Sequence, residues 1–242
     1  MCKEAMETLT VTKSNGGTSP HRSKPQQQHE AAGSNNKSCN TTHEGAFQRM
    51  WPLFRSYLTL LCVIYGGCYA AFAQADSIWG LTPAPQFCTT ANDTVCRRPD
   101  LFAFQMVSVV SMYTVGLLGL YHWYGTQKAQ KELPPTPAGR LLGYLPAAEQ
   151  LSTVALAYQT FDFVVSWTIP EHCTPIMMMH HLLAAAVAYC SIRYQFLHYY
   201  SFFFLGLSEV STFFLVWIDL ATFFPPAPES LFSSLLETVA GP

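Results

Sequence analysis

Five long apolar stretches between residues 53 and 224 restrict the fold more than any other feature. Each is about 20 residues long, which is the length an α-helix needs to cross roughly 30 Å of hydrocarbon. Because the bilayer core offers the backbone no water, a crossing helix must satisfy its own amide groups. The sequence therefore predicts an all-α membrane protein with about five transmembrane helices. Their approximate ranges are 53–74, 101–124, 150–169, 175–192 and 196–224, and the third is the most polar.

The chain divides into three regions by composition. Residues 1–50 are polar and lack any helical or strand period, so they are predicted to be a disordered tail. Residues 53–224 form the predicted transmembrane domain, and 225–242 form a short C-terminal tail. The charged fraction is only 12% and the net charge is −2, so the chain lacks the basic surface that a nucleic acid requires.

The basic residues predict an orientation for the bundle. They flank the first apolar stretch and lie between the second and third, which places these sides in the cytosol. The loop 76–100 is then lumenal, and it carries a glycosylation acceptor at Asn92 and a predicted disulfide between Cys88 and Cys96. Similar acceptors at Asn36 and Asn40 leave the opposite orientation open.

Four ionisable residues stand out well inside the apolar stretches. A charge near the centre of a bilayer costs at least about 2.5–3.5 kcal/mol, so each needs a partner or a function. They are Asp162, His180, His181 and Glu209, and they are predicted to lie at similar depth. Adjacent helical residues point about 100° apart, so only one of the two histidines is expected to bond a carboxylate. Such a pair serves either as a general base or as a polar contact between helices.

Other chemistries have little support in the sequence. The histidine boxes of di-iron membrane enzymes are missing, and the spacing of Asp162, His180 and Glu209 is unlike a compact metal motif, so no metal is predicted. His122 and His198 are expected at the membrane interface. Two pairs of glycines, Gly66 with Gly67 and Gly116 with Gly119, are interpreted as close helix contacts.

The order of the polar residues resembles the TLC-domain superfamily. The pattern consists of an aromatic segment that ends at Asp162, the pair His180-His181, and Glu209-Val210-Ser211-Thr212 in the next helix. The resemblance implies a helical barrel around a lipid-sized cavity in the endoplasmic reticulum or another endomembrane. It casts His180, His181 and Asp162 as catalytic residues, as in ceramide synthases, and acyl-coenzyme A as a possible co-substrate without a bound cofactor. Tyr158, Glu209 and Ser211 would contact the substrate.

The chain is most similar to the smaller members of that superfamily, which adjust membrane phospholipid composition. The family domain has a sixth helix, whereas the apolar stretch 231–236 is too short to span a bilayer. We therefore expect a second copy or a partner subunit to supply it, or the sequence to be incomplete. The predicted function is lipid handling that influences sphingolipid or phospholipid composition. The alternative is a non-enzymatic receptor, or a translocon-associated or cargo-handling protein, in which the histidine pair is structural.

Overall fold

All regular structure in the described part of the chain is helical. The computed structural model describes residues 44–74, 81–88 and 96–225, and this part contains no β-strand. The eight α-helices there are α1 (Glu44–Gln74), α2 (Pro99–Gly125), α3 (Gln127–Glu132), α4 (Pro137–Leu142), α5 (Pro146–Ser166), α6 (Pro175–Tyr194), α7 (His198–Phe204) and α8 (Thr212–Phe223). Two 3₁₀ turns, Pro85–Phe87 and Leu207–Val210, complete the structure. Residues 1–43 of the predicted tail 1–50, residues 226–242 of the predicted tail 225–242, which include the short stretch 231–236, and the acceptor Asn92 lie outside the described residues.

Proline begins four of these helices: α2, α4, α5 and α6. The first amide of a helix has no intrahelical acceptor, so proline loses nothing there, and its fixed φ suits the first turn. Thr136 and Thr174 precede two of these prolines, and their hydroxyls accept hydrogen bonds from the amides of Gly139 and Met177. Each start is therefore determined locally by the sequence.

In the described ranges, four helical segments are long and apolar enough to cross a membrane. They are Gly45–Gln74, Pro99–Gly125, Pro175–Tyr194 and His198–Phe223. Their outward faces are apolar, as the strongly exposed side chains of Val63, Leu183 and Phe214 show. Exposed apolar surface of this extent suits contact with lipid rather than water.

Helix α5, which corresponds to the third predicted span, has a different composition and is not one of the four. It lies in the middle of the bundle, in contact with α1, α2, α6 and α7. Most of its side chains are buried, including the charged residues Glu149 and Asp162. With 21 residues it measures about 32 Å, so its length matches its neighbours although its polarity does not.

Helix α1 begins earlier than the composition predicts, because residues 44–50 belong to it and not to the polar tail. Ala46 is buried, and the ring of Phe47 packs against the ring of Tyr189 on α6. The guanidinium of Arg49 lies 3.3 Å from the carboxylate of Glu149 on α5. These contacts with the bundle stabilise the start of α1, where the polar composition of the segment does not itself favour a transmembrane helix.

The fifth predicted span is not continuous, because the helix breaks at Gly206. A Cβ atom on Gly119 of α2 would lie 2.5 Å from the Cα atom of Gly206, so the two backbones are in direct contact. Gly116 likewise accommodates the ring of Phe213. The interpretation of Gly66 and Gly67 as contact glycines is wrong, since a Cβ on either would meet nothing within 4 Å.

A network around Arg98 closes the end of the bundle where α2 begins. Its Nη1 and Nη2 atoms donate to the two carboxylate oxygens of Glu171 at 2.7 and 2.9 Å, and Nη1 also donates to the carbonyl of Phe87 at 2.8 Å. Asp100 accepts from Nη2 at 2.9 Å. The hydrogen bonds from Arg98 hold the pKa of Glu171 below its usual value. Phe87 adjoins Cys88, which forms a disulfide with Cys96 across a Cα–Cα distance of 5.7 Å.

His172 is packed into the same end of the bundle. Its ring lies against the rings of Phe104 and Phe223, with centroids 4.4 and 5.7 Å away. The side-chain amide nitrogen of Gln105 donates to Nε2 of His172 at 3.3 Å, so this nitrogen carries the lone pair. Burial lowers the pKa of His172 below the ordinary 6.5, against smaller opposing effects of Asp162, Asp219 and Glu171.

Acidification is therefore expected to destabilise this end of the bundle through His172. In the unfolded chain the imidazole of His172 binds a proton near pH 6.5, whereas in the folded protein burial lowers its pKa. The free energy of unfolding therefore falls as the pH drops below 6.5. Thermal unfolding in detergent at pH 7.5, 6 and 5 measures this. The variant His172→Gln should show a smaller loss than the parent over the same interval, and an unchanged pH dependence would contradict the assignment.

Candidate functional site

The polar residues inside the bundle meet where α5 ends and α6 begins. The turn 167–174 joins these two helices, which then run side by side in opposite directions. Asp162 lies four residues before the end of α5 and His181 six residues after the start of α6. At about 1.5 Å per residue these positions are roughly 6 and 9 Å from the turn. The side chains of Asp162 and His181 therefore meet at similar depth.

His181 is bonded through one ring nitrogen. Its Nδ1 lies 3.0 Å from Oε1 of Gln159 and 3.5 Å from Oδ2 of Asp162. Both partners accept hydrogen bonds, so in the neutral ring the proton resides on Nδ1 and the lone pair on Nε2. No hydrogen bond to Nε2 is found among the described residues.

The carboxylate of Asp162 is almost completely buried, with 2% of the residue exposed. Its Oδ1 accepts a hydrogen bond from the hydroxyl of Ser166 at 3.0 Å. Tyr158, one turn earlier on α5, is buried close to Asp162 and to Ser108 of α2, and Nδ1 of His181 lies 3.5 Å from Oδ2 of Asp162. A buried carboxylate is stable only when it is well bonded, and these contacts supply that bonding. We refer to Tyr158, Gln159, Asp162, Ser166 and His181 as the polar cluster.

His180 is not part of the polar cluster. Its side chain is exposed on the outer face of α6, and its ring contacts only the edge of the His181 ring among the described aromatic pairs, at 5.4 Å. The rotation of about 100° between adjacent residues explains this, because α6 turns one imidazole inward and the other outward. The expectation that a single histidine bonds the carboxylate fits this arrangement, and that histidine is His181.

Glu209 and Ser211 are not part of the polar cluster either. Glu209 lies in the second 3₁₀ turn, is half-buried, and accepts a hydrogen bond from the Thr212 hydroxyl at 2.9 Å. It lies within electrostatic range of Tyr158 but makes no hydrogen bond to Asp162 or His181 among the described residues. Ser211 is exposed and donates to the carbonyl of Ser208 at 2.8 Å. The break at Gly206 moves both residues away from the predicted mid-helix position.

The sequence interpretation missed two members of the polar cluster. Gln159 gives the shortest contact to His181, and Ser166 bonds Asp162 from one turn further along the helix. The available signal was spacing, since Gln159, Asp162 and Ser166 follow each other at three and four residues and so share one face of α5.

His198 is fully buried and has bonded partners that the sequence interpretation did not foresee. Its Nδ1 accepts a hydrogen bond from the amide of Leu145 at 3.0 Å, and its Nε2 donates to the carbonyl of Ser191 at 2.9 Å. The ring thus connects the start of α5, the end of α6 and the start of α7. His198 is a structural residue.

Buried Glu149 is a third polar residue of α5 that the sequence interpretation did not single out. It accepts hydrogen bonds from the Tyr144 hydroxyl at 2.7 Å and from Arg49 at 3.3 Å. Both partners lie near the end of the bundle opposite to the polar cluster. Two side chains near the surface of the bundle therefore satisfy the hydrogen-bonding capacity of the Glu149 carboxylate.

The same opposite end contains a cavity of about 320 Å³, to which Trp123, Lys131, Arg140 and Tyr199 contribute. No member of the polar cluster lines it. Within the described ranges, His, Cys, Asp and Glu side chains form no group of three or more that could hold a metal ion.

Comparison with known proteins assigns no family to this chain. No protein-family model, no curated protein and no solved structure matches the chain. The resemblance to the TLC-domain superfamily therefore rests on the residues that carry it in this sequence, and no family is assigned.

Proposed function

We propose that this protein is a multi-pass endomembrane protein that handles lipids and influences sphingolipid or phospholipid composition, with His181 as its general base. The observation that carries the proposal is the bonding of the His181 ring. Gln159 and Asp162 accept from Nδ1, which fixes the tautomer and leaves the lone pair on Nε2. A carboxylate at this position also stabilises the imidazolium that forms when Nε2 takes a proton.

The reaction that suits this base is transfer of an acyl group from acyl-coenzyme A to a lipid amine or hydroxyl. The nucleophile attacks the thioester carbonyl while Nε2 of His181 accepts its proton. The new C–N or C–O bond forms, the C–S bond breaks, and the imidazolium returns the proton to the coenzyme A thiolate. Proton transfer of this kind contributes about 10²–10⁴-fold to a rate.

We extend the proposal to a TLC-type bundle with five transmembrane helices, of which α5 is one. The support is its length and its central position between α1, α2 and α6. A helix covered by neighbours does not need an apolar surface of its own, so the composition of α5 is compatible with a span. In this arrangement membrane lipids are the partners.

A non-enzymatic receptor or cargo-handling protein is the second candidate. It is favoured by the fact that the contacts of His181 join two helices, α5 and α6, as a purely structural histidine would do. Intramembrane hydrogen bonds of this kind stabilise helix association by about 0.6–2 kcal/mol. The cavity of about 320 Å³ also lies away from the polar cluster.

The variants His181→Ala and His180→Ala separate the two candidates. Cells that lack the protein are supplied with the parent chain or either variant, and their sphingolipids and phospholipids are measured together with protein abundance. We expect His181→Ala to lose the lipid change at unaltered abundance, and the exposed neighbour His180→Ala to retain it. Loss of abundance in His181→Ala, or an intact lipid change, would favour the structural role.

A further inference from the structure

The cavity at the far end of the bundle has the composition of an anion site. It lies where α2 ends, between α3, α4 and the first turn of α7, and its volume of about 320 Å³ is at the lower end of the range for small-ligand sites. Lys131 from α3 and Arg140 from α4 both line it, together with Gln127 and Gln130 of α3. Two cations from separate helices therefore border one space.

Neither cation is neutralised by a carboxylate in the part of the chain that the structure describes. Within the described ranges, no carboxylate forms an ion pair with Lys131 or Arg140, and the adjacent Glu132 does not line the cavity. The guanidinium of Arg140 lies over the ring of Tyr199, 5.5 Å from its centroid. This stacking fixes the planar group and leaves its N–H donors available for an acceptor.

The walls of the cavity indicate where its ligand comes from. Trp123, Leu133 and Tyr199 provide apolar surface beside the cations. Tyr121 and Tyr124, on the same last turns of α2, are strongly exposed. Tryptophan and tyrosine concentrate at the level of lipid headgroups, and basic pockets between helices bind anionic headgroups there.

We propose that this cavity binds a phosphate monoester, with Arg140 and Lys131 as its ligands and the aromatic wall against the adjoining carbon chain. Arginine bonds phosphate oxygens in pairs and lysine supplies a point charge, so the two together match a dianionic group. The ester is either the headgroup of a phosphatidic acid type of lipid or a soluble phosphate ester. This site is separate from the polar cluster and does not depend on the function proposed for His181.

The full-length protein, purified in detergent, is tested by native mass spectrometry with dioleoyl phosphatidic acid and with dioleoylglycerol, which has the same chains but no phosphate. We expect retention of phosphatidic acid and little retention of dioleoylglycerol. The double variant Lys131→Gln/Arg140→Gln should weaken binding at least tenfold, since each lost charged hydrogen bond is worth a factor of about ten or more. Lys128→Gln, an exposed position on α3 outside the cavity, is the matched control and should bind as the parent does.

A second arm identifies the source of the phosphate. Glycerol 3-phosphate is titrated calorimetrically into the same preparations. Heat that disappears in the double variant indicates a soluble ester, whereas binding of phosphatidic acid alone indicates the lipid. Equal retention of dioleoylglycerol, equal losses in the double variant and in Lys128→Gln, or no binding of either ester would each overturn the proposal.

Discussion

The variant Gly119→Ala is expected to lose about 3 kcal/mol of stability, the upper end of the usual cost of overpacking a core. The added methyl group would lie 2.5 Å from Cα and 2.7 Å from the carbonyl carbon of Gly206, and both are backbone atoms. No change of rotamer relieves such a contact, so α2 must move away from the chain between α7 and the second 3₁₀ turn. For a protein of this size the melting temperature should fall by roughly 6–12 °C.

Gly66→Ala provides the matched control for this prediction. It makes the same chemical change within a long helix, at a site where the new methyl group meets nothing within 4 Å. Alanine is the better helix former by roughly 0.5–1 kcal/mol, so this variant should melt at or slightly above the parent temperature. Thermal unfolding in one detergent measures both variants. Equal melting temperatures for Gly119→Ala and Gly66→Ala would contradict the close approach between the backbones of Gly119 and Gly206.

The second large effect is expected from Asp162→Asn. The amide has nearly the volume of the carboxylate and still accepts the hydrogen bond from Ser166, so the fold should be preserved. What the variant removes is the negative charge beside Nδ1 of His181. If His181 is a general base, the imidazolium loses its stabilising partner and the rate should fall by about 10²–10⁴-fold.

The measurement for Asp162→Asn is release of free thiol from palmitoyl-coenzyme A by membranes that contain equal amounts of each variant. Asp219→Asn removes an exposed carboxylate from α8, outside the polar cluster, and serves as the control. A structural role gives a different result, since a neutral amide is easier to bury than a charge and should leave abundance equal or higher. Unchanged thiol release in Asp162→Asn would therefore count against catalysis.

The helical stretches could be predicted because their cause is local. Length and apolar composition place both ends of α2 and α6, and the C-terminal end of α1, within a few residues of those observed. The break at Gly206 could not be predicted in this way, because it lies where the chain contacts Gly119 of a different helix. The early start of α1 depends similarly on Arg49 reaching Glu149, a residue that is distant in sequence.

The proximity of Asp162 and His181 was predictable from the cost of isolated charge in hydrocarbon and from helix length. The choice between His180 and His181 was not, because it depends on the rotation of α6 against α5. The short contact to Gln159 was also missed, since a neutral amide costs less to bury and attracts less attention than a charge. Glu209 illustrates the opposite error, where a carboxylate was expected to join the cluster but bonds the nearby Thr212.

The covered position of α5 has a consequence for biosynthesis. Because α5 contains buried acidic residues, it is unfavourable for this helix to enter the lipid from the translocation channel by itself, before the neighbouring helices cover those residues. Helices α1 and α2 are synthesised before α5, and α6 follows α5 after one short turn. In the five-span arrangement proposed above, we expect α5 to enter the bilayer together with α6 as a hairpin, so that contact between Asp162 and His181 reduces the cost of inserting both side chains.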